Sequence, residues 1–128
     1  MRINEEKLKA RERNWFRVGY KFFDSHAKNI GPKAALTYLF IKSYEHKNTR
    51  YAWPSEKFIA EKLGIHPRTV SRAVKILKAH DFVRISQETY GGHWPYNKYL
   101  ITDSKYWLVE PKSEEARMTN ISLPEDKK

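Results

Sequence analysis

The stretch SEKFIAEKLGIHPRTVSRAVKILKAH, Ser55 to His80, reads as two short helices with one tight corner between them. Ser55 is a good N-cap, its side-chain oxygen placed to accept an orphan backbone N–H, and Glu56 puts negative charge in the first turn, where the helix dipole favours it. Phe58, Ile59 and Leu63 fall on one side at helical spacing, and Gly64 follows where a helix end calls for a left-handed residue. After a turn at Gly64 to His66, Pro67 suits the first position of a second helix, because its missing N–H would be unpaired there anyway. From Pro67 onward the period of 3.6 holds, and Val70, Ala73, Val74 and Leu77 make one apolar stripe.

The opposite side of that second helix is centred on Arg68, Arg72 and Lys75, with Ser71 and Lys78 toward one edge and Thr69 toward the other, and it carries no acid. An apolar stripe for a core and a stripe of hydroxyls and cations for the outside are what a helix needs to lie in the major groove of DNA. Arginine can there bond a guanine edge with two hydrogens, while lysines and hydroxyls hold phosphates. Pro67 to Ala79 is therefore the expected groove element. Arg68 and Arg72 are the expected base readers, and Thr69, Ser71, Lys75 and Lys78 the expected phosphate contacts.

Downstream, FVRISQE (Phe82 to Glu88) and KYLIT (Lys98 to Thr102) are extended runs around the turn-rich YGGHWPYN (Tyr90 to Asn97), the pattern of a β-hairpin. With the two helices before it, this order of elements resembles the helix-turn-helix family in its winged subclass, where the hairpin packs behind the recognition helix and leans its tip on DNA. The resemblance covers roughly residues 32–102. The phrase WPSEKFIAEKLGIHPRTVSRAVKIL is similar to the winged helices of phage and plasmid replication initiators and related regulators. It implies an α+β, mainly helical fold, a three-helix core with a β-hairpin wing, and double-stranded DNA as the partner. Relatives commonly carry serine just before the recognition helix; here the position is His66, so the usual cap hydroxyl is absent.

At the wing, His93, Trp94 and Lys98 are the candidates. Lys98 is expected on phosphate. The aromatic tip, Tyr90, His93, Trp94 and Tyr96, either meets sugar and groove wall or folds back on the recognition helix.

Composition sets the outer bounds. A chain of 128 residues suits one domain with a single core. With 40% hydrophobic and 31% charged residues it has the make-up of a globular protein, and no apolar run approaches the roughly 20 residues that span a bilayer. The charged start MRINEEKLKARERN lacks the apolar centre of a secretory signal, so a cytoplasmic protein with no membrane partner is expected. Cysteine is absent, which excludes disulfides, thiolate zinc sites and a cysteine nucleophile. Of the net charge of +10, residues 1–102 carry more than the whole, with 20 Lys and Arg against 9 Asp and Glu. A domain this cationic attracts polyanions, with counterion release supplying a salt-dependent part of the affinity.

Outside the motif, residues 1–14 read as a basic N-terminal helix or arm, residues 15–110 as the winged helix-turn-helix domain, and residues 111–128 as a polar tail suited to disorder. Within the domain, WFRVGYKFF (Trp15 to Phe23) is consistent with a strand or extended segment laid on the core, in preference to stacking on unpaired bases. A first long helix follows Pro32, with Leu36, Leu39, Phe40 and Ser43 on one side and Ala34, Tyr38 and Ile41 roughly opposite. Being apolar on two faces, it needs cover from the N-terminal segment or a second subunit. Asn48 to Pro54 reads as a loop anchored by Trp53. The cluster Tyr106 to Val109 closes against the domain or another subunit.

Catalytic signals are lacking. The five histidines make no metal-ligand spacing, and His80 before Asp81 is placed as a C-terminal helix cap. Phosphate-loop glycine patterns and GxSxG are absent, so no enzyme activity, metal or cofactor is expected. The reading is a sequence-specific duplex-DNA binder, foremost a transcription regulator of a phage or plasmid. A replication-initiation or partition protein is the alternative, and an RNA or single-strand binding module a further one. A homodimer, and a protein partner held through the C-terminal tail, are both compatible with it.

Overall fold

The computed structural model describes residues 15–88 and 96–112. The basic arm at 1–14, the wing tip with Tyr90, His93 and Trp94, and the tail beyond Lys112 lie outside the described residues. In chain order, a π-helical turn Phe22–His26 leads into α1 (Ala27–Ile30), followed by α2 (Pro32–Ser43), β1 (Tyr51–Ala52), α3 (Glu56–Leu63), α4 (Pro67–Ala79), β2 (Val83–Glu88), β3 (Tyr96–Ile101) and a 3₁₀ turn Ser104–Tyr106. The three strands form one antiparallel sheet in the order β1-β3-β2. The hairpin register pairs Val83 with Ile101 and Glu88 with Tyr96, while β1 adds Tyr51 opposite Leu100 and Ala52 opposite Tyr99. This is an α+β winged helix-turn-helix.

Local chemistry accounts for the helix ends. Gly31, at φ 89°, precedes Pro32, which starts α2 at a position where proline loses no hydrogen bond. Ser55 Oγ accepts from Phe58 N at 3.0 Å and so caps α3. Gly64 ends that helix in the left-handed conformation, φ 70° and ψ 35°, with its own N–H and that of Ile65 both donating to the Ala60 carbonyl.

The core is built around α4, which packs against α2 and α3. Val70, Ala73, Val74 and Leu77 are all buried, as are Ile59 and Ala60 of α3 and Ala34, Ala35, Tyr38 and Ile41 of α2. From the sheet, Val83, Tyr99 and Ile101 face the same interior. At one end the interior becomes an aromatic stack: Phe82 lies 4.4 Å from Trp107 in near-parallel contact, and Phe22 stacks on Tyr38 at 5.2 Å. Phe22 also meets Phe82 and Trp107 edge-on.

Those rings show how α2 is covered. The buried side of the helix is closed within the chain, by Phe22 from the N-terminal segment and by Trp107 from the C-terminal one. Of the cluster Tyr106 to Val109, Trp107 and Leu108 close against their own domain, while Tyr106 and Val109 stay exposed. Leu108 N donates to the His80 carbonyl at 2.9 Å, Lys112 N donates to that of Ala79 at 2.9 Å, and His80 Nδ1 donates to the Leu108 carbonyl at 2.8 Å. His80 is thus the C-cap by position, but its buried ring works as a tether for the C-terminal strap.

Three expectations need correction. Residues 15–23 are no strand: Trp15 to Gly19 are irregular, Tyr20 begins a helix, and Phe22 to His26 widen it into a π turn. Nor is the run simply core, since of its aromatic residues Phe22 alone is buried. The loop expected at 48–54 contains β1, whose partner β3 lies far ahead in sequence. It is braced by Arg50, left-handed at φ 66°, whose Nε donates to Glu45 at 3.0 Å.

The buried His26 gives the fold a pH dependence. Its Nδ1 has no partner among the described residues, and burial, helped by the Lys21 charge, holds its pKa below the ordinary histidine value. As pH falls through about 6.5 the unfolded chain takes up a proton that the folded chain resists, so stability declines toward the depressed folded value. Urea melts between about pH 7.5 and 5.5 should show that decline, and His26→Leu should flatten it; the same slope in both proteins would contradict the assignment. Leu77→Ala, at a fully buried position of the α4 stripe, should cost about 2–5 kcal/mol in the same melts at constant pH.

Candidate nucleic-acid interface

Because the stripe at Val70, Ala73, Val74 and Leu77 is buried, helical geometry leaves the other side of α4 to solvent. Arg68, Arg72, Lys75 and Lys78 are exposed there, with Thr69 and Ser71 half-buried at the edges. Among the described residues none of these four cations has an ion pair within 4 Å. The six residues singled out on this helix thus share one outward surface.

His66 positions the start of that surface. Its Nδ1 accepts from Arg68 N at 3.0 Å, so imidazole does at the N-cap what a serine hydroxyl commonly does. The hydroxyl is absent, as expected from the sequence, and the imidazole supplies the cap in its place. No acid occupies the first turn, so the partial positive charge of the helix N-terminus adds to that of Arg68.

One carboxylate does approach the ridge. Glu56, half-buried at the start of α3, is held above the ordinary carboxylate range by burial, while the Lys75 ammonium and a hydrogen bond from Asn97 pull it back down. Asn97 Nδ2 also donates to the hydroxyl of buried Tyr99 at 3.2 Å, and Gln87 Nε2 donates to Asn97 Oδ1 at 3.4 Å. Burial pushes the Tyr99 phenol well above its ordinary value, so it stays protonated. Glu56, Lys75, Gln87, Asn97 and Tyr99 therefore join the wing strands to both helices of the motif. Sequence spacing could not show this, because its members come from four separate elements.

At its C-terminal end the ridge stops short of the expected span. Ala79 lies on the outward side by helical phase, yet it is buried, and the strap ending at Lys112 is bonded to its carbonyl. The surface open to a groove therefore runs from Arg68 to Lys78. Conversely, sequence reasoning passed over Ile76, which is 37% exposed, one turn after Arg72 on the outward side. An apolar side chain there fits contact with a thymine methyl. Helical phase alone would have found it.

His93 and Trp94 lie outside the described residues. Lys98 is half-buried on the sheet face opposite Tyr99 and Ile101, its Nζ 4.1 Å from the centre of the Tyr51 ring and 5.9 Å from that of Trp53. Its ammonium lies over aromatic faces and braces β1 and its loop against the hairpin. No group of three or more His, Asp or Glu among the described residues could hold a metal ion, and no helix there is long and apolar enough to cross a membrane.

With two capped helices set around a left-handed glycine, a cationic outer face and a paired hairpin behind it, the domain has the architecture of a winged helix-turn-helix. Residues 28–83 match the family model described as a helix-turn-helix domain, which spans α2, α3, the corner and the whole of α4. No curated protein and no solved structure matches the chain.

The cap makes a direct prediction. His66→Ala should cost about 1 kcal/mol in urea melts, and His66→Ser should recover most of it. Equal stability of all three proteins would mean that the Nδ1 contact contributes nothing.

Proposed function

We propose that the protein is a sequence-specific binder of double-stranded DNA that acts as a transcription regulator of a mobile element, phage or plasmid. The observation that carries the binding mode is the outward ridge of α4, whose arginines and lysines have no carboxylate within ion-pair distance among the described residues. The helix-turn-helix match over residues 28–83 supports it. In this reading the first turns of α4 enter the major groove. Arg68 and Arg72 bond base edges, Thr69, Ser71, Lys75 and Lys78 hold phosphates, and Ile76 lies against a methyl group. The role is one of binding, without a catalytic step, and Lys98 serves it by bracing the wing. A second copy on a two-fold operator, with half-sites about 10 bp apart, belongs to the same proposal.

Substitution separates the two kinds of contact. Arg68→Ala or Arg72→Ala should weaken binding to the preferred duplex by about 1–3 kcal/mol and relax selectivity at one position. Lys75→Ala should weaken all duplexes alike and lower the slope of log affinity against log salt by about 1. Titrations of the preferred and a scrambled duplex at two salt concentrations read both effects. Equal losses on the two duplexes for the arginine variants would remove them as base readers. Footprinting on the neighbouring genome tests the role: one palindrome beside a promoter supports regulation, whereas an array of repeats would move the assignment to replication initiation or partition.

A further inference from the structure

The run WFRVGYKFF, residues 15–23, was expected to pack as core, and most of it does not. Tyr20 is 87% exposed and Phe23 58%, with Trp15 and Phe16 also well exposed, while Phe22 between them is buried. Phe22 fastens the segment to the domain through Tyr38, Phe82 and Trp107, so the exposed rings are displayed from an anchored backbone. Tyr20 and Phe23 are three residues apart on a helical turn, which makes them neighbours on one face. Phe23 also rests edge-on against Phe22 at 5.2 Å, so its position is tied to the core.

Charge says which partner suits these rings. Arg17, Lys21, Lys28 and Lys33 are exposed within residues 15–33, against Asp24 as the one acid of that stretch. A two-fold contact with a second copy would bring the same cations face to face. A polyanion meets them favourably. In a duplex the base faces are stacked on one another and unavailable to side chains, whereas a single strand offers them, and every base has a face on which an aromatic ring can stack. We propose that residues 15–23, with Lys28 and Lys33, form a second nucleic-acid surface that stacks unpaired bases on Phe16, Tyr20 and Phe23 and neutralises phosphates with the neighbouring cations. It is separate from the α4 ridge, where Ile76 is the one large exposed hydrophobic side chain.

The test uses the full chain and labelled oligo(dT) and oligo(U) of about 12 nucleotides, read by fluorescence anisotropy. The double variant Tyr20→Ala/Phe23→Ala should bind both at least about 10-fold more weakly, with its melting curve and its duplex affinity unchanged. Tyr20→Trp should retain single-strand binding, and Arg68→Ala/Arg72→Ala should lose duplex selectivity while keeping it. A difference between oligo(dT) and oligo(U) assigns the strand to DNA or RNA. Equal affinity of the parent and the double variant for both oligonucleotides would overturn the proposal. So would a concentration-dependent dimer of the free chain that the double variant abolishes, since the rings would then be occupied by a second copy.

Discussion

Helix α4 can bury Val70, Ala73, Val74 and Leu77 together in one orientation, and that constraint sets the rest of the molecule. Turning the helix by a third of a turn would drive Arg72 or Lys75 into the space now filled by α2 and α3, where an unpaired charge costs several kcal/mol. The apolar contact therefore does two jobs. It closes the core, and it fixes Arg68, Arg72 and Lys75 on the outside without any ion pair of their own among the described residues. The Ser55 and His66 caps and the left-handed Gly64 determine where the helices begin and end, so that the ridge has a defined phase as well as a defined face.

Around this centre the chain closes by aromatic contact. Phe22 and Trp107 come from segments on either side of the motif and meet at Tyr38 and Phe82. The strap that delivers Trp107 also occupies the last carbonyls of α4, at Ala79 and His80. The C-terminal end of the recognition helix is thus given over to packing, and its N-terminal turns remain open. Glu56, Asn97 and Tyr99 tie the hairpin to the same unit from the other side, which makes the angle between wing and helix a property of the fold.

What could be read from sequence was what depends on neighbours along the chain. The Ser55 cap, the glycine corner, Pro67 and the α4 stripe are each set within a few residues, and the structure has all of them. Contacts between distant residues were not legible. The strand at Tyr51–Ala52 exists because Tyr99 and Leu100 pair with it, and Lys98 lies over Tyr51 and Trp53 because that pairing brings them together. The aromatic run at 15–23 shows a different limit: spacing says which rings can share a face, but only the position of Phe22 against Tyr38 shows which are left outside. That His66 replaces the absent hydroxyl was not legible either, since it depends on an imidazole nitrogen turning to accept from the second residue beyond it as a hydroxyl oxygen can.

The molecule that results presents two unlike surfaces, a cationic ridge on α4 and an aromatic, basic segment at residues 15–23. Backbone amide shifts on titrating the labelled protein with its preferred duplex would test the central claim most directly. The largest shifts are expected at Arg68, Thr69, Ser71, Arg72 and Lys75, with Val70 and Leu77 following only weakly. Shifts centred instead on the outer face of the sheet, or on residues 15–23, with the α4 ridge unmoved, would contradict it.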